Sequence, residues 1–153
     1  MADTAEPAAI SDEALLARFV NTRNQPAGSR TLGLRMTRVS QAERLVEAEF
    51  DARAETLANP MKQVQGGYLC AMLDEVMSVA CMVASGMGHV APTLEMKTSF
   101  FRPAMPGKLT GVGRVVRWGK TVAFTEGEIY DDQGRLVAKA TGTALPTPFR
   151  NYK

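Results

Sequence analysis

Histidine is nearly absent: one of the 153 residues, His89, carries an imidazole. A Cys/His metal cluster or a histidine-based catalytic triad has almost no material to work with, and no metal or cofactor is expected. Cysteine is scarce too, with only Cys70 and Cys81 in one apolar segment. If that segment is helical, a rise of ~1.5 Å per residue holds them roughly 16 Å apart, too far for a disulfide. They are expected as reduced thiols packed like small hydrophobes in a cytoplasmic protein. Net charge is small, +2 from eighteen basic and sixteen acidic residues, so composition gives no argument for a nucleic-acid partner. The N-terminus, MADTAEPAAI, lacks the basic and apolar regions of a secretory signal. The longest apolar run, residues 68–84, carries Asp74 and Glu75 at its middle. No membrane association is expected of it.

What is present suits one globular domain: 45% apolar and 22% charged residues in a chain able to bury roughly 70% of its unfolded surface. Ser11-Asp12-Glu13 ahead of Leu15, Leu16, Phe19 and Val20 predicts a short amphipathic helix at about 12–22, broken by residues 24–28. Two extended segments follow within residues 32–51. In the second, Leu45, Glu47 and Glu49 alternate with Val46, Ala48 and Phe50, the signature of a sheet with one wet side. Gly66-Gly67 leads into a long helix over Tyr68 to Ala84 that is apolar almost all round, hence enclosed by other structure.

From residue 91 the period becomes two, in TLEMKTSFFRPA, KLTGVGRVVRW, TVAFTEGEIYD and RLVAKATGTAL. Pro106-Gly107, Trp118-Gly119-Lys120 and Asp132-Gln133-Gly134 separate these strands by links short enough for antiparallel hairpins. Pro103 belongs at a strand end or bulge. The sum is an α+β fold: a curved antiparallel sheet of about six strands wrapped around one long central helix. Residues 1–29 form an N-terminal helix and lead-in, 30–147 the main domain and 148–153 a tail.

Three features carry chemistry. Asp74-Glu75 at the centre of a buried-looking helix is the strongest, because an unpaired buried carboxylate is costly. Adjacent helical residues point about 100° apart, so one acid can aim into a site while the other exits toward solvent or a basic partner. Ser78 lies one turn after Asp74 on the same face, and the pair could hold a water; alternatively both acids form ion pairs across a subunit contact. The second feature is Gly66-Gly67, since the first N–H groups of a helix lack intrahelical partners and can stabilise an oxyanion. The third is a run from Met96 to Thr125 holding Lys97, Arg102, Lys108, Arg114, Arg117 and Lys120 with no acid. Such a run suits a phosphate-bearing ligand or is a solvated basic face. Gly111-Val112-Gly113 lacks the following helix of a dinucleotide site and reads as close packing. His89, in a turn-like segment, is expected to face solvent or to donate a local hydrogen bond. Met72, Met77 and Met82 are expected as core filler.

Asn59-Pro60, Gln65-Gly66-Gly67-Tyr68, Leu73-Asp74, Thr93-Leu94-Glu95-Met96-Lys97, Arg102-Pro103-Ala104 and Pro106-Gly107 together resemble the PaaI-like acyl-CoA thioesterases of the hotdog-fold superfamily. The resemblance covers roughly residues 30–147 and implies hydrolysis of an acyl-CoA to free acid and CoA. It also implies a homodimer joining two sheets into one, a homotetramer of such dimers, and an active site between protomers. By position, Asp74 is the general base or nucleophile, and the backbone N–H of Gly66 polarises the thioester carbonyl. Asn59 lies near that carbonyl and the attacking water. Thr93, across the subunit boundary, or Ser78 orients the water. Gln65 replaces the usual histidine of a His-Gly-Gly motif, retaining hydrogen bonding without imidazole charge. Gly67, Glu75, Arg102, Arg117 and Lys120 are expected at the substrate, the last three on CoA phosphates. The alternative reading is a non-catalytic acyl-CoA-binding hotdog protein acting as a ligand sensor.

Overall fold

The computed structural model describes residues 10–20 and 25–151. In chain order the elements are α1 (Asp12–Val20), α2 (Ala27–Thr31), β1 (Leu34–Ser40), β2 (Leu45–Ala52), α3 (Ala54–Leu57), α4 (Gly66–Ala84), β3 (His89–Val90), β4 (Thr93–Phe100), β5 (Gly107–Trp118), β6 (Ala123–Tyr130), β7 (Leu136–Ala144), β8 (Thr147–Pro148) and a closing 3₁₀ turn, Phe149–Asn151. Six strands form one antiparallel sheet in the order β1-β2-β5-β6-β7-β4, and β3 pairs with β8 in a small separate ribbon. The hotdog arrangement expected from the resemblance is present: a sheet curved around one long helix.

α4 forms where expected and starts two residues earlier, because Gln65 caps it and brings both glycines into its first turn. Leu69, Met72, Leu73, Val76, Met77, Val79, Ala80, Cys81 and Val83 are buried, so this apolar helix is the core of the molecule. It lies hard against β5. A Cβ at Gly113 would stand 2.1 Å from the carbonyl oxygen of Val76, and one at Gly111 would stand 2.7 Å from the Phe50 ring. Those glycines are the close-packing device the sequence suggested. The inward row of β2, Val46, Ala48 and Phe50, is buried as its alternation demands. Met72 and Met77 are buried, Met82 only partly. Burial also pushes the Cys81 thiol up to about 11, which leaves it inert.

Several expectations fail for identifiable reasons. Part of the segment read as a break at 24–28 holds α2: Pro26 sits at its N-cap, where its fixed φ suits a helix start. Residues 21–24, which include the last two of the first helix as expected, lie outside the described residues. Pro106-Gly107 does not close a hairpin, because β4 pairs with β7 and β5 with β2. Residues 101–106, with two prolines, instead carry the chain from one edge of the sheet to its middle, pinned on the way by Val64 N–H donating to Ala104 O at 2.8 Å. Pro103 lies in this link, outside the strands. His89 is not solvent-facing: its ring meets Trp118 edge-on at 5.6 Å, and its Nδ1 is buried without a partner.

Candidate active site

The N-terminus of α4 is built by a side chain. Gln65 Oε1 accepts hydrogen bonds from the N–H of Gly67 at 2.7 Å and of Tyr68 at 3.3 Å. Gly67 has to be glycine for this, since a Cβ there would fall 2.8 Å from that oxygen. Gly66 N–H is left without an acceptor among the described residues. It carries the positive end of the helix dipole, so one donor is held ready at this helix start. Asn59 shapes the loop before it: its Oδ1 accepts from Met61 N–H at 2.9 Å and Gln63 N–H at 3.1 Å. Its amide NH₂ has no acceptor among the described residues.

The Phe100 ring covers Gly66, with its nearest atom 3.4 Å from where a Cβ would be. Around them Val64, Leu69, Phe101, Arg102, Pro103 and Ala104 line an open groove of about 320 Å³. Its walls are apolar and aromatic, and Arg102 is its one charged group. The two phenylalanines were not picked out from sequence as site residues, although adjacent exposed aromatics directly before Arg102-Pro103 were a usable signal.

Asp74, two turns further along α4, is half-buried and accepts a hydrogen bond from Thr93 Oγ1 at 2.5 Å. The contact depends on a bulge. In β4, Thr93 pairs with Ala144 and Glu95 with Thr143, so Leu94 is an extra residue that turns Thr93 toward the helix. Thr93 therefore serves the carboxylate of its own chain. Glu75 points elsewhere: its Oε1 accepts from the buried Ser29 hydroxyl of α2 at 2.6 Å. The structure gives this acid a packing role instead of the solvent or basic partner anticipated for it. Ser78 is half-buried one turn beyond Asp74 and makes no hydrogen bond among the described residues.

The basic run divides in two. Lys108 pairs with Glu49 at 2.5 Å, and Arg114 lies 3.9 Å from Glu128, because neighbouring strands supply the acids missing from the run itself. Glu128 is held below the usual carboxylate range, first by the Tyr130 hydroxyl at 2.7 Å and then by Lys139 at 3.0 Å. Lys97, Arg102, Arg117 and Lys120 have no ion pair among the described residues. These four do not cluster. Arg102 follows the Phe100 end of β4, whereas Arg117 and Lys120 lie at the Thr93 end of the sheet, beside the pairing of Trp118 with Ala123 and of Ala123 with Ala144. Seven residues of strand, at ~3.3 Å each, separate those ends by roughly 23 Å.

A family model described as the thioesterase superfamily matches residues 62–138, a span containing Gly66, Asp74 and Thr93. The chain belongs to the thioesterase superfamily. A solved structure of a phenylacetic acid degradation-related protein from Ralstonia eutropha is 36% identical, covers 85% of this superfamily member and 98% of that chain, and superposes with a TM-score of 0.74. The proofreading thioesterase EntH of Klebsiella pneumoniae is 29% identical over 74% of this chain and 82% of its own. Relatives from Thermoplasma volcanium and Saccharolobus solfataricus are 32% and 36% identical over 52% of this chain, which spans 59% and 56% of their lengths. The PaaI protein of Escherichia coli, at 23% identity and a TM-score of 0.72, shares the fold.

Proposed function

We propose that this thioesterase-superfamily chain hydrolyses an acyl-CoA thioester at a site shared by two copies, one supplying Gly66 and the other Asp74. The observation that carries this is a spacing on α4. The unused N–H of Gly66 and the Thr93-bound carboxylate of Asp74 are eight residues apart on one helix. At ~1.5 Å per residue that is about 12 Å. The carbon and oxygen of a thioester carbonyl are directly bonded, ~1.2 Å apart, so one protomer cannot grip the oxygen and attack the carbon.

In the two-copy site the acyl chain lies in the groove of Val64, Leu69, Phe100 and Phe101. The carbonyl oxygen points at Gly66 N–H, with the Asn59 amide as a second donor. Asp74 of the other copy takes a proton from water as the water adds to the carbonyl carbon, or adds directly and is released by water afterwards. Negative charge develops on the carbonyl oxygen, where the helix N-terminus opposes it; collapse of the adduct then breaks the C–S bond. The thiolate of CoA is a good leaving group and needs no strong general acid. Gln65 keeps its amide oxygen on the Gly67 and Tyr68 N–H groups, so of these first helix N–H groups the one left for the substrate is that of Gly66. Ser78 stands beside the water, and Arg102 of one copy with Arg117 and Lys120 of the other meets the phosphates of CoA. The proposal sets the reaction in the cytoplasm, a reading supported by the two unpaired cysteines, Cys70 and Cys81.

The test is Asp74→Asn, assayed by thiol release from a panel of short, medium, long and aromatic acyl-CoAs. Turnover falls by ~1000-fold with an unchanged melting temperature, in the range of lost acid–base catalysis. Wild-type turnover in that variant sends the chemistry elsewhere.

A further inference from the structure

α4 meets β4 at three side chains spaced one turn apart. Phe100 covers Gly66, Cys70 Sγ lies 3.5 Å from Thr98 Oγ1, and Thr93 bonds Asp74. The first and last of these contacts belong to the proposed reaction, and the middle one has no part in it. Cys70 and Thr98 are both half-buried. The groove beside Gly66 stops where they touch. From β4 it is lined by Phe100 alone and from α4 by Gly66 and Leu69, while Val64 and the 101–104 link supply the rest. The next residue of the helix is Cys70, and the next helix-facing residue of the strand is Thr98. A sulfur and an oxygen 3.5 Å apart are in contact, so no methylene passes between them.

We propose that Cys70 and Thr98 form the end wall of the acyl groove and make this chain selective for short acyl groups. The proposal rests on the shared-site reading and deepens it by naming the substrate class. Arg102 enters the groove from the link, on the far side of Phe100 from Thr98. An acyl-CoA with a phosphate at Arg102 and its carbonyl at Gly66 therefore points its acyl chain toward Leu69 and the wall. Cys70 stands midway between Gly66 and Asp74 on one helix. With Gly66 of one copy facing Asp74 of the other, the wall also stands midway between the two reaction centres, and a chain that passed it would run into the second carboxylate. From Gly66 to Cys70 the helix rises ~6 Å. Carbon–carbon bonds of ~1.5 Å, each advancing somewhat less along a zigzag chain, fill that distance with an acyl group of about six carbons, carbonyl included.

Two length series test the wall separately from the chemistry. Thiol release from straight-chain acyl-CoAs, acetyl to palmitoyl, gives kcat/KM against length, and calorimetric titration with S-alkyl-CoA thioethers of matching length gives affinity without any reaction. Wild type gains about fourfold per carbon, the value of a buried methylene, up to about six carbons, and loses with each carbon beyond. Cys70→Ala combined with Thr98→Ala moves the optimum longer by about two carbons or more in both series, and Thr98→Ile moves it shorter. A general loss of fold lowers every length alike and leaves the optimum in place. A wild-type optimum beyond about eight carbons, or one that either folded variant leaves unmoved, overturns the wall with hydrolysis untouched. Thioether binding with the expected length profile but no thiol release removes the hydrolase reading and leaves the wall standing. A chain that binds no thioether and releases no thiol overturns both.

Discussion

Along β1 the sheet ends against the chain's own N-terminal segment, whereas along β4 no described residue covers its outer edge. Leu15 of α1 is fully buried in the same core as Met36 and Val39 of β1. Asp12 accepts the backbone and side-chain N–H of Gln41 at 3.1 and 2.9 Å, and Gln25 Nε2 donates to Leu34 O at 2.9 Å. The outward arginines of β1, Arg35 and Arg38, are paired with Glu49 and Glu47 of the next strand. Among the described residues β4 has no such cover, its Leu94 is 57% exposed, and its Glu95 and Lys97 make no ion pair. An uncovered eight-residue edge is an aggregation hazard unless it has a partner. Its two ends also hold the groups to which the proposed reaction assigns the chemistry, Thr93 with Asp74 and Phe100 over Gly66, so in that proposal the finished edge serves the fold and the bare one the function.

Matched truncations probe that contrast most strongly. Leu15→Ala at the finished edge is expected to cost about 2–5 kcal/mol of stability, the usual range for a leucine removed from a packed core. It leaves dimerisation and turnover per folded molecule unchanged. Leu94→Ala at the bare edge is expected to change the stability of the monomer by less than ~0.5 kcal/mol and to weaken self-association. Chemical denaturation with sedimentation of both variants measures this, and equal stability losses would erase the distinction between the edges.

How much of this was legible follows from the range of each interaction. The helical stripe of α4, the alternation in β2 and the close-packing glycines of β5 are local patterns, and each is found where the chain spells it. The pairing of β4 with β7 instead of β5 is not local. Pro106-Gly107 has the composition of a hairpin, and only the need of β5 to cover α4 beside β2 decides otherwise. The site divides similarly. Asp74 stood out as a charge in an apolar helix, and the two glycines marked the helix start. That Gln65 would spend its oxygen on Gly67 and Tyr68 and spare Gly66 depends on side-chain geometry. So does the loss of Lys108 and Arg114 to acids from other strands, and the bulge that turns Thr93 inward.

Thr93 gives a mid-sized test of the bare edge. Thr93→Val keeps the β-branched shape and removes the hydroxyl that donates to Asp74. Turnover is expected to fall ~10-fold, about 1.4 kcal/mol, because the carboxylate is no longer aimed, with self-association unchanged. Thr93→Ser restores most of the rate. Loss of the dimer in Thr93→Val would make the residue part of the edge and not of the chemistry.

The smallest effect is expected from Glu49, whose pairing is completed inside the chain. Hydrogen bonds from Lys108 and then Arg35 hold its carboxyl below the usual range. A carboxylate with a depressed folded-state pKa adds stability above its unfolded value of ~4.3, and that stability is lost as pH falls through the lower folded value. The melting temperature of wild type should therefore exceed that of Glu49→Gln slightly at pH 6, and the gap should close as the pH is lowered below about 4. The pair is exposed, so ~1 M salt should also narrow the gap. A Glu49 gap that salt left untouched would mean that ion pairing at these outward charges adds nothing to the finished edge, and the contrast would then rest on α1 alone.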